Sequence, residues 1–159
     1  MKTVCASCNK EIKPSFYRDY DIISYGLCKS CKNNLFYQNR VELSKYLNSL
    51  PVPIILIDPE KGIKTCNEKA CEMLSKKLQE IEGHQPGIVL KCKFSKLPGG
   101  CGNTPHCVTC TIRQAIMETF TMGKSFHKIP VILNRENQKI NLFVSTEKIS
   151  GLVFLRIDS

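Results

Sequence analysis

The stretch LPVPIILIDPEKGIKTCNEKACEML, Leu50–Leu74, decides the fold. Pro51 and Pro53 end whatever helix precedes them, because proline lacks an amide hydrogen and clashes with the preceding turn. Ile54–Ile57 is a short apolar run of the kind that forms a buried strand, and Asp58-Pro59-Glu60-Lys61-Gly62 closes it as a turn. Ile63–Cys66 is the returning strand. Asn67 is placed to cap a helix from Glu68 to about Lys76, with Ala70, Cys71, Met73 and Leu74 on its apolar face.

Downstream, Ile112, Ala115, Ile116 and Phe120 recur at helical spacing and predict a helix over 111–121. Three strands are expected at 126–133, 139–148 and 152–157, with Asn134-Arg135-Glu136-Asn137 as the hairpin turn between the first two. Upstream, Leu35, Phe36, Arg40, Leu43, Tyr46, Leu47 and Leu50 suggest a linking helix over 32–49.

Eight of the ten cysteines form two groups of four. Cys5, Cys8, Cys28 and Cys31 are spaced Cys-x2-Cys-x19-Cys-x2-Cys, and Cys92, Cys101, Cys107 and Cys110 are spaced Cys-x8-Cys-x5-Cys-x2-Cys. Two thiolates separated by two residues can turn back onto one ion, and two such arms complete a tetrahedron. The first 34 residues hold little aliphatic material, so a metal must organise them. A closed four-sulfur shell there predicts structural zinc; an iron site, free thiols and a secreted disulfide framework are the alternatives. Gly26 suits a tight turn beside the metal, and Phe16, Tyr17, Tyr20 and Tyr25 are expected to wrap it.

The second group fits zinc, a [4Fe–4S] cluster or a redox-active set of thiols. Gly99-Gly100-Cys101-Gly102 provides backbone that can approach a metal closely. Cys107-Val-Thr-Cys110 leads straight into the helix at Thr111. His106 lies within this group as an alternative ligand. His84 and His127 read as surface residues; Cys66 and Cys71, five apart and so not on one helical face, read as small buried hydrophobes, with redox sensitivity as the alternative.

Taken together, Pro53, the Asp58–Gly62 turn, Asn67 opening a helix and the closing meander resemble a PAS domain over residues 45–159. The segment GHQPGIVLKCKFSKLPGGCGNTPHCVTCTIRQAI resembles the cysteine-bearing insertion of a subset of bacterial sensor PAS domains, through Pro86-Gly87, Cys92, Gly100-Cys101-Gly102, Thr104 and Cys107-x-x-Cys110. The resemblance implies an α+β fold with a five-stranded antiparallel sheet and flanking helices. It also implies that the cysteine loop lies near the usual cofactor pocket of such domains. A Cys-x-x-Cys at a helix mouth with an upstream knuckle resembles treble-clef and zinc-ribbon modules. The expected organisation is a metal module over 1–34, a linker helix over 35–50 and a PAS-like domain over 51–159 with an insertion at about 84–111.

Composition limits function. The formal charge of +9 counts cysteines as neutral; eight thiolates around two divalent ions remove four charges and leave +5. No block of five consecutive basic residues occurs, so a nucleic-acid surface on the N-terminal module is the alternative and not the first reading. No apolar run approaches the ~20 residues that span a bilayer. The N-terminus lacks the apolar segment of a secretory signal, which predicts the cytosol. Phosphate-loop, nucleophile-elbow and kinase motifs are missing, and no two carboxylates form an acid–base pair. The expectation is a non-enzymatic metal-containing sensor or adaptor that acts through a protein partner and dimerises through helix 32–49, with an iron–sulfur electron carrier as a further alternative.

Overall fold

The computed structural model describes residues 3–5, 8–12, 28, 30–31 and 40–158. Gly26, the four aromatics between 16 and 25, and the 32–39 part of the expected linker helix lie outside them. The chain divides into two compact units, Met1–Leu50 and Pro51–Ser159.

In the first unit, β1 (Thr3–Val4) pairs antiparallel with β2 (Glu11–Ile12). Ser30 and Cys31 are helical, and α1 spans Arg40–Ser49. Leu43, Leu47 and Leu50 are buried, as an i, i+4, i+7 stripe should be.

The second unit is built on one antiparallel sheet. Its strands are β3 (Ile54–Asp58), β4 (Gly62–Cys66), β5 (Phe126–Asn134), β6 (Lys139–Ile149) and β7 (Leu152–Asp158), in the spatial order β4-β3-β7-β6-β5. Hairpins join β3 to β4, β5 to β6 and β6 to β7; the last strand inserts between β3 and β6. Between β4 and β5 run the short helices α2 (Glu68–Leu74), α3 (Leu78–Ile81) and α4 (Pro86–Val89), two 3-10 turns (Lys93–Lys96 and Pro105–Thr109), and the longer α5 (Thr111–Met122). The α+β architecture expected from the sequence is therefore observed.

Alternation explains the core. Ile55, Ile57, Val131, Val144, Val153, Leu155 and Ile157 project from one sheet face and meet Ala70, Leu74, Ile81, Val89, Ile112 and Ile116 from the helices. At the ~25 cal/mol per Å2 of apolar burial, each such aliphatic side chain contributes roughly 1.5–3 kcal/mol relative to exposure. On α5, Thr119 adds a buried hydroxyl–hydroxyl bond of 2.7 Å to Thr146 of β6. The opposite face is mixed. Arg156 is buried there and satisfied by Asp158 at 3.1 Å and by Ser145.

Gly62 shows why the β3–β4 turn ends on glycine. Its φ is +96°, and a Cβ there would come within 2.9 Å of the His84 carbonyl. That carbonyl accepts the Ile63 amide at 2.9 Å, while the Gly83 amide reaches the Ile63 carbonyl at 2.7 Å. The segment after α3 is thereby fastened onto β4.

The helix expected to reach Lys76 stops at Leu74. Ser75 takes a left-handed conformation (φ 52°), and its amide bonds back to the carbonyls of Cys71 and Glu72. Met73, expected on the apolar face of α2, is exposed. His127, expected at the surface, is half-buried beside the β-bulge between Phe126 and Ile129, and its Nδ1 is buried with no hydrogen-bond partner. The bulge also gives Lys128 a positive φ and turns its amide to Ser145 Oγ at 2.9 Å.

Asn67 caps α2 as expected and does more. Its Oδ1 accepts from the Ala70 and Ile54 amides, both at 3.0 Å, and its Nδ2 donates to the Val52 carbonyl at 2.8 Å. Replacing it with alanine removes the cap and leaves buried backbone groups unpaired. Asn67→Ala should lower the stability of the second unit by about 2–4 kcal/mol, read as a lower urea midpoint.

Candidate metal centres

The first four cysteines converge. The sulfurs of Cys5, Cys8, Cys28 and Cys31 all lie within 4.8 Å of one another, and Cys8 and Cys28 are 3.7 Å apart. Zinc–sulfur bonds of about 2.3 Å at tetrahedral angles place sulfurs about 3.8 Å apart, so the cage fits one ion. Local backbone builds it. The Cys5 amide bonds to the Lys10 carbonyl at 2.8 Å and the Asn9 amide to the Cys5 carbonyl at 2.9 Å, with Asn9 in the left-handed region at φ 57°. This knuckle turns Cys8 back toward Cys5. Opposite, Cys28 precedes the helical residues Ser30 and Cys31, and a backbone hydrogen bond from Cys31 holds the Cys28 thiol below its ordinary pKa. Four sulfurs at this spacing can hold a metal ion.

The second four are arranged differently. Among the described residues, only the first set gathers its sulfurs within 4.8 Å of one another; Cys92, Cys101, Cys107 and Cys110 are not gathered that closely. They are nevertheless neighbours. Burial raises the pKa of the Cys101 thiol, the Gly87 amide opposes this, and the charges of Cys107, Cys110 and Cys92 add to the rise. Burial also pushes Cys107 up, but the Thr104 hydroxyl and amide, the Gly102 amide and the Arg113 guanidinium outweigh it, and its pKa falls.

The supporting contacts suit metal-bound sulfur. The Gly87 amide donates to Cys101 Sγ at 3.3 Å and the Gly102 amide to Cys107 Sγ at 3.1 Å. The buried Thr104 hydroxyl lies 3.2 Å from Cys107 Sγ. A Cβ on Gly87 would stand 2.6 Å from Cys101 Sγ, so this cradle admits the sulfur only because position 87 has no side chain. Donors aimed at sulfur and mutually repelling thiolates fit a cationic centre.

His106, considered as a ligand, stacks its ring on Phe94 with centroids 3.8 Å apart. His84 is exposed, as expected. Cys66 and Cys71 lie outside both sets, yet their sulfurs are 3.5 Å apart. Helical spacing does not foreshadow this contact, because Cys66 precedes the cap and is not in the helix. Two further residues were legible only as turn residues. Arg135 Nε, in the β5–β6 turn, donates to the Leu90 carbonyl at 3.2 Å, and Glu136 is ion-paired with Lys96. The hairpin tip thus holds the cysteine-bearing segment from a distance of some 40 residues in sequence.

The five-stranded unit, with helices laid across one sheet face and its last strand at the centre, has the PAS fold. Residues 42–97 match the family described as PAS domain. Among solved structures, the PAS domain of nitrogen regulation protein NR(II) from Vibrio parahaemolyticus is similar with a TM-score of 0.53 at 13% identity, covering 74% of this chain and 96% of that one. The photoactive yellow protein domain of the sensor histidine kinase Ppr from Rhodospirillum centenum gives 0.51 at 10% identity, covering 80% and 99%. A domain of a sensory box sensor histidine kinase/response regulator from Geobacter sulfurreducens gives 0.51 at 13%, also covering 80% and 99%. At these identities the likeness concerns fold. No curated protein matches the chain. No helix among the described residues is long and apolar enough to cross a membrane.

Gly87→Ala tests the cradle. Its backbone conformation accepts alanine, so the effect comes from the collision with Cys101; an overpacking cost of about 1–3 kcal/mol is expected in urea denaturation.

Proposed function

We propose that this chain is a non-enzymatic, cytosolic PAS sensor or adaptor with a scaffold zinc at Cys5, Cys8, Cys28 and Cys31. Its responsive centre, zinc or a [4Fe–4S] cluster, is held by Cys92, Cys101, Cys107 and Cys110. Loss or oxidation of that centre is the signal, and a signalling protein reads it, with the helix ending at Ser49 as a contact surface for the partner or a second copy.

One observation carries this reading. Cys110 is the residue from which α5 starts, and α5 packs Ile112, Ala115 and Ile116 into the core over the sheet. The same loop is tied to the β5–β6 hairpin through Arg135 and Glu136. A change in charge or spacing at the four sulfurs therefore acts on a core helix and a hairpin together. Zinc and a [4Fe–4S] cluster both accept four cysteine thiolates, so metal analysis decides between them.

The test is metal content and a visible spectrum after purification without oxygen. The expected result is zinc at one equivalent per chain, retained in Cys92→Ser and Cys101→Ser, and a second centre lost in both variants. Broad visible absorption with iron and sulfide assigns the cluster, and a second zinc in colourless protein assigns zinc. Thr104→Val should weaken retention of the second centre by about 10–100-fold through the lost hydroxyl–sulfur contact. Unchanged metal content and spectrum in Cys101→Ser would remove the proposal.

A further inference from the structure

Cys66 and Cys71 belong to neither four-cysteine set, and their sulfurs are 3.5 Å apart. The reason is the start of α2. Asn67 is its N-cap, so Cys66 occupies the position before the cap and Cys71 the fourth helical position. These two positions pack against each other at many helix starts, where they usually carry aliphatic side chains. Here both are thiols. The Cys71 amide bonds to the Asn67 carbonyl at 3.1 Å, and the Asn67 side chain is pinned to Val52 and Ile54, so the frame holding the pair is rigid.

Their surroundings differ. Cys66 is 7% exposed and part of the core, whereas Cys71 is half-buried at its margin. Burial, and then the neighbouring Cys71 and Glu82, push the Cys66 thiol well above its ordinary pKa. A small oxidant therefore meets Cys71 first and Cys66 only through it.

We propose that Cys66 and Cys71 are an oxidation site that takes small hydroperoxides and closes to a reversible disulfide. The Cys71 thiolate attacks one oxygen of hydrogen peroxide, the O–O bond breaks, and the hydroxide that leaves takes up the proton the Cys71 thiol released, giving water. The product is a sulfenic acid on Cys71. The Cys66 sulfur then attacks Cys71 Sγ, an S–S bond forms and the S–O bond breaks. The hydroxide departs as a second water carrying the Cys66 proton. Two thiols are oxidised and one peroxide is reduced to two waters. Bringing the sulfurs to the ~2.05 Å of a disulfide requires them to close by about 1.5 Å, within reach of side-chain rotation. Bulky disulfide oxidants suit the site less, because only one sulfur is open to solvent.

Trypsin separates the two residues, cutting after Lys64, Lys69 and Lys76, so that Cys66 lies in 65–69 and Cys71 in 70–76. The full chain, as purified with its metal, is treated with hydrogen peroxide, blocked with N-ethylmaleimide and digested without reductant. Peptides 65–69 and 70–76 should appear joined, lighter by two hydrogens, and separate again with dithiothreitol. Cys66→Ser should accumulate sulfenic acid on Cys71, trapped by dimedone, because its resolving thiol is gone. Cys71→Ala, at the more exposed position, should leave Cys66 free for maleimide. Peroxide consumption with no joined peptide would overturn the proposal, and so would oxidation of Cys66 at the wild-type rate in Cys71→Ala. The readout is confined to these two peptides, so it stands apart from the fate of either metal set.

Discussion

A buried primary amide must satisfy both its oxygen and its nitrogen or forfeit the cost of desolvating them. Asn67, only 1% exposed, meets that demand by bonding at once to the first strand, to the proline-bounded segment before it and to the first turn of α2. Its own amide also reaches the Ile54 carbonyl at 3.1 Å. The start of β3, the exit from β4 and the first turn of α2 are thus joined by one side chain. Everything that follows depends on that junction: α2 covers the core with Ala70 and Leu74, and the chain then crosses β4 through α3. An apolar residue could fill the same volume but could not join the three backbones. In a low-dielectric interior these bonds are strong, and breaking one exposes the others.

How much of this was legible follows from how local each signal is. The strands at the end of the chain showed through β-rich runs and the turn at 134–137, and the α5 face through residues three and four apart. The cap at Asn67 was legible from its place before a helical pattern, but its bonds to Val52 and Ile54 were not, because they join residues 13 and 15 positions away. The central position of β7 is equally non-local: no periodicity in Leu152–Asp158 says that it pairs with β3 as well as β6. Ser75 ended α2 early through a left-handed backbone, a conformation that glycine or asparagine signals and serine does not. The bulge that draws His127 inward left no mark in composition.

The two cysteine sets show the same limit. Cys5, Cys8, Cys28 and Cys31 were readable as a unit because paired Cys-x-x-Cys clamps nearly dictate convergence, and their sulfurs do converge. The wider set has a single clamp, and its geometry depends on partners far along the chain. Gly87 leaves room for Cys101, Thr104 and Gly102 direct donors at Cys107, and Arg113 lies on the helix beyond. Nothing in a spacing rule supplies these. The contact of Cys66 with Cys71 was hidden for a related reason: counting along a helix fails for a residue that stands just outside it.

Electrostatics also distinguishes the two sets. In the first, four sulfurs lie at a spacing that one metal ion could fill, which would leave no ligand site open. In the second, Cys101 is pushed toward its neutral thiol by burial and by three neighbouring sulfurs, while Cys107 is drawn toward thiolate by Thr104, Gly102 and Arg113 against its own burial. Opposite tendencies thus meet within one loop. A bound cation would favour all four thiolates, and its loss would restore their repulsion at the start of α5. Arg135 and the exposed Lys96–Glu136 pair join that loop to the hairpin, so under the proposed function the hairpin is the element beside α5 that such repulsion would reach.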